Sequence, residues 1–66
     1  MDEYIAAAAT LELRRDIARW THYVNLHEDE GWGTENDYRR WQSWISRAEA
    51  EIERREQAAL TTARRA

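Results

Sequence analysis

The 66 residues include no cysteine, proline, phenylalanine or lysine, and only two glycines. Without cysteine there is no disulfide framework and no thiolate metal cluster, so a small fold must rest on tight helix packing or on association. Without proline, nothing forces a helix to stop. No stretch approaches 18 consecutive apolar residues, and no charged start leads through an apolar run to a small-residue cleavage site. The expectation is a soluble, cytoplasmic chain with no membrane partner.

What is present is mostly helix-forming and thinly apolar. Hydrophobic residues make up 42% of the chain, yet 11 of them are alanine and only nine are Ile, Leu or Val, so a monomer buries little against its chain entropy. The net charge of −3, from 10 arginines against 13 Asp and Glu, argues against a sequence-independent binder of nucleic acid.

Gly31 and Gly33 flank Trp32 near the midpoint, between two segments rich in Ala, Glu, Arg and Leu. This predicts an all-α fold, an antiparallel two-helix hairpin in one domain over residues 1–66. The first helix is expected over residues 2–28, a turn over 29–33, a second helix over 34–60 and a frayed tail over 61–66. Gly31 suits the left-handed position after a helix end. Thr34 followed by Asp37 reads as the capping pattern of the next helix.

At 100° per residue, Ala6, Ala9, Leu13, Ile17, Trp20, Val24 and His27 share one line on the first helix. Tyr38, Trp41, Ile45, Ala48, Ile52 and Ala59 do so on the second, with the beat lost at Arg55 and Glu56. A short turn then pairs Val24 with Tyr38, Trp20 with Trp41, Ile17 with Ile45 and Leu13 with Ala48. Alanines would meet at the open end.

Apolar residues off these lines must face water or another chain. Tyr4, Leu11, Tyr23 and Trp44 lie off the stripes, and Trp32 stands between the two glycines either as a plug over Val24 and Tyr38 or as a protruding anchor. These five are the candidate partner-binding residues, since Trp and Tyr carry much of the energy of interfaces. The partner is a second copy, completing a four-helix bundle, or another protein.

Candidate chemistry is sparse. The turn region from His27 to Asp37 is acidic but lacks the oxygen-ligand spacing of a calcium loop. His22 and His27 lie roughly 140° apart around a helix, unsuited to a shared zinc. His27 reads as a histidine at the core edge, and no nucleophile motif is present. No catalytic residue, cofactor or metal is expected. Four arginine doublets raise nucleic-acid binding as a lesser alternative, but Glu12, Asp16, Glu35, Asp37 and Glu51 stand at helical spacing to neutralise most of them. The expected function is a small non-catalytic protein-interaction module, an adaptor, regulator or inhibitor, with a structural homo-oligomer as the other alternative.

Overall fold

A computed structural model describes residues 1–65 as three helices, α1 (Asp2–Ala7), α2 (Thr10–Glu30) and α3 (Glu35–Arg65), with no strand among the described residues. The helix expected over residues 2–28 is therefore two helices. Ala8 and Ala9 adopt extended backbone, with ψ of 147° and 149°, and the chain doubles back there. α1 then lies along α3 between Arg47, which reaches Asp2, and Arg55, which reaches the carbonyls of Ile5 and Ala6.

This fold-back changes which alanines are covered. On an unbroken helix Ile5 would lie on the shoulder of the stripe, about 80° from Leu13, and Ala8 would point away from it. The break instead carries both into the core, while Ala6 and Ala9, expected on the buried line, are exposed. The core is small: Leu13 and Ala48 are fully covered, joined by Ile5, Ala8, Trp20, Val24 and Ile52.

α2 ends as its glycine dictates. Gly31 takes the left-handed conformation (φ 71°, ψ 21°) and donates its N–H to the His27 carbonyl at 2.9 Å, relieving one of the orphan acceptors at a helix end. The helix continues through Glu28, Asp29 and Glu30, so the connection spans residues 31–34 rather than 29–33. α3 begins with a reciprocal cap: the Asp37 N–H donates to Thr34 Oγ1 (3.1 Å) and the Thr34 N–H to Asp37 Oδ2 (3.3 Å). It continues past Leu60 to Arg65, with the Thr61 and Thr62 hydroxyls donating to the Gln57 and Ala58 carbonyls. Fraying from residue 61 is thus replaced by helix over 61–65, where no glycine or proline interrupts; Ala66 lies outside the described residues.

Contacts between α2 and α3 climb one helix as they descend the other. His27 stacks on Tyr38 (ring centroids 4.5 Å), Tyr23 packs on Trp41 (5.4 Å), Trp20 on Trp44 (5.5 Å), and Arg14 reaches Glu56 (3.0 Å). The register differs from the expected pairing of Trp20 with Trp41 by nearly one turn. Tyr23 and Trp32 both pack on Trp41 and on each other (5.2 Å), so Trp41 belongs to the cluster at the loop end and Trp20 meets Trp44 instead. No helix of the described residues is long and apolar enough to cross a membrane.

Candidate interaction surface

The five residues singled out as docking candidates separate into two groups. Tyr23 and Trp44 are half-buried and pack against the core cluster. Tyr4, Leu11 and Trp32 remain exposed at 43%, 61% and 49%, together with Met1 and Leu60. Trp44 reaches the core from the flank of α3 because an indole is long enough to cross the edge of the helix contact and meet Trp20.

Tyr4 and Leu11 stand on either side of the Ala8–Ala9 break. Tyr4 is oriented by its hydroxyl, which donates to Oδ2 of Asp16, a carboxylate that is 7% exposed. The other carboxylate oxygen, Oδ1, accepts from Arg19 at 2.7 Å, so the one acidic side chain in the core has both oxygens engaged. The bond to Asp16 raises the Tyr4 pKa above its ordinary value, with burial and the Asp16 charge adding to the effect. The phenol therefore stays a neutral donor while its ring presents an apolar face. Leu11, one residue into α2, has no such tether; nothing but its position on the outward side of the helix accounts for it.

Trp32 is both cover and protrusion, but the rings it covers are Trp41 and Tyr23, while Tyr38 stacks on His27. The Trp32 ring stacks on Trp41 (5.5 Å, 13°) and packs on Tyr23 (5.2 Å), closing the loop end of the core, while about half of it meets solvent. Gly33 makes this possible: at φ 79° it takes a conformation side chains rarely adopt, and a Cβ there would lie 2.8 Å from the Trp41 ring. His27 anchors the same loop, its Nδ1 3.0 Å from the Trp32 carbonyl and its Nε2 3.4 Å from Glu35. Tyr38, stacked beneath His27, has its pKa raised by burial and by the nearby Glu28 charge. Asp37 is lowered, chiefly by the Thr34 backbone N–H. This end of the molecule is an aromatic stack bordered by carboxylates.

The arginines are largely engaged. Asp16 holds Arg19, Glu35 holds Arg39 (3.7 Å), Asp37 holds Arg40 (3.9 Å), and Glu51 holds Arg54 and Arg55 (2.6 and 3.1 Å). The spacing of the sequence anticipates these five. It does not anticipate Arg14 with Glu56 or Arg47 with Asp2, both 3.0 Å, which join different helices. The pair expected between Glu12 and Arg15 is not formed among the described residues, and Arg39 and Arg40 do not reach Glu28, Asp29 or Glu30.

Arg55 has a role that helical spacing hides. Its guanidinium donates to Thr10 Oγ1 (3.0 Å) and to the carbonyls of Ile5 and Ala6 (3.2 Å each) while holding Glu51. It satisfies the C-terminal acceptors of α1 and ties them to the start of α2. The lost apolar beat at position 55 was the available signal. Compared with known proteins, the chain matches no family model, no curated protein and no solved structure at a significant level.

Proposed function

We propose that this chain is a small non-catalytic protein-interaction module, an adaptor, regulator or inhibitor. In this reading α2 and α3 work as an antiparallel hairpin, α1 is a strap along one side, and Tyr4, Leu11 and Trp32 contact a partner protein. The observation that supports it most is Leu11. A leucine 61% exposed, in a chain that also leaves a tethered tyrosine 43% exposed, is apolar area spent outside a core in which only Leu13 and Ala48 are fully covered. In so small a chain, that surface serves best in contact with another protein.

The test is comparative. The wild-type protein and Leu11→Glu, each immobilised, are exposed to extract from the native cell, with helicity followed by circular dichroism. Discrete proteins retained by the wild type and lost from the variant at unchanged helicity support the reading. Identical retention by the two forms, or loss of helix in the variant, counts against Leu11 as a contact residue.

A further inference from the structure

α3 is longer than the helix it packs on. Its 31 residues span about 46 Å against about 31 Å for the 21 residues of α2. The last cross-contacts are Arg14 with Glu56 and Thr10 with Arg55; residues 58–64 are all exposed, including Leu60 at 53%. Beside this overhang, on the flank of the α2 and α3 pair, lies an open groove. Ile17 and Ile52 contribute its apolar part, and Glu49, Glu53, Glu56 and Arg14 line it. Arg14 is committed to Glu56, whereas Glu49 and Glu53 have no basic partner among the described residues.

At 100° per residue, Glu49, Glu53, Glu56, Leu60, Ala63 and Arg64 fall within roughly 60° of one line on α3. One helix face thus changes along its length from acidic to apolar and then basic. Such a face complements itself when reversed.

We infer that the groove receives the α3 overhang of a second copy, the two α3 helices lying antiparallel about a two-fold axis near Glu56 and Gln57. Leu60 of each copy then rests on Ile52 and on the aliphatic stem of Glu53 in the other, and Arg64 of each meets the unpaired Glu49 and Glu53 of the other. The contact is isologous, as closed dimers require. Glu56 would face its own symmetry mate at the axis, and the Arg14 guanidinium at 3.0 Å already offsets that charge. The area agrees. A compact protein of 7.9 kDa exposes about 4,400 Å², whereas this chain exposes 5006 Å². The excess of about 600 Å² approaches what the smallest stable interfaces take from each partner.

This inference rests on reading the chain as an interaction module but uses a groove that neither Tyr4 nor Leu11 lines. The deciding experiment exploits reciprocity, with solution mass measured by light scattering at low ionic strength from micromolar to millimolar protein. The wild type should pass from one chain to two. Arg64→Glu should weaken pairing roughly tenfold or more, because both arms lose an attraction and gain a repulsion. The combined variant Glu49→Arg with Glu53→Arg should do the same. Mixing the two variants in equal amounts restores opposite charges at both arms, and the dimer should return. Leu60→Glu should weaken pairing, and Leu11→Glu should leave it unchanged. A wild type that stays monomeric, or variants that pair as the wild type does, would overturn the inference while leaving the protein-docking reading intact. A dimer lost on Leu11→Glu and not restored by mixing would also overturn it, and would move the second copy to the outward side of α2 at Leu11.

Discussion

Arg55 sits where the apolar rhythm of α3 fails, and the substitution that would mend the rhythm is the informative one. Arg55→Leu extends the stripe yet removes the donors for Thr10, Ile5 and Ala6. Because bonds from a charged donor to partly buried acceptors outweigh one more apolar contact, the variant should be destabilised by about 2–3 kcal/mol, read from the urea midpoint. Arg55→Lys, with a single ammonium, should recover only part of that loss. Glu51 makes a prediction with a direction in pH. Its bonds to Arg54 and Arg55 hold its pKa at about 2, below the ordinary 4.5, so the folded chain gives up that proton more readily than the unfolded one. The stability it contributes is fully present above about pH 4.5 and disappears as pH falls toward 2. The difference in urea midpoint between wild type and Glu51→Gln should therefore shrink across that window; a difference independent of pH would show that Glu51 acts by packing alone.

At the level of helices, the break at Ala8 and Ala9 is the least protected junction. Ala9 occupies the N-cap position of α2 in extended backbone with no side-chain bond to the helix, so the first amides of α2 lack a local acceptor. Ala9→Asp should supply one and raise stability by about 1 kcal/mol, measured as a rise in urea midpoint; a fall would mean that the junction prefers helix. The same junction shows what the amino-acid order could and could not reveal. Gly31 and the Thr34 and Asp37 pair carry their own local signals, so the end of α2 and the start of α3 were readable, as was the line of Leu13, Trp20 and Val24. Four alanines over residues 6–9 carry no signal for a break. They favour continuous helix, and only the distant partners of Tyr4, Ile5 and Arg55 outweigh that preference. Tyr23 and Trp44 were misplaced relative to the core for a related reason: straight-helix geometry assigns a ring to a face by its Cα, whereas a long aromatic reaches around the flank.

As a whole the molecule is a rod of 50 × 21 × 15 Å with a radius of gyration of 14.4 Å, against about 11 Å for a compact chain of this length. Its stability is correspondingly uneven. α1 is held by Ile5, the Asp2 pair with Arg47, the Tyr4 bond to Asp16 and Arg55, while the middle of α2 and α3 is locked by Leu13, Trp20 and Ala48. Native-state hydrogen exchange should find the α1 amides opening at lower free energy than those around Trp20 and Ala48; equal protection would mean that the three helices open as one unit. The placement of the four indoles also makes the rod its own optical instrument. Trp20 and Trp44 are tilted by 54° and Trp32 and Trp41 by only 13°. Both pairs have ring centroids 5.5 Å apart, close enough for their transitions to couple, so loss of either contact should change the exciton circular dichroism. Emission from half-exposed Trp32 should instead follow solvent at the tip. One unlabelled sample thereby carries two reporters, which distinguish loosening at the loop from melting at the centre.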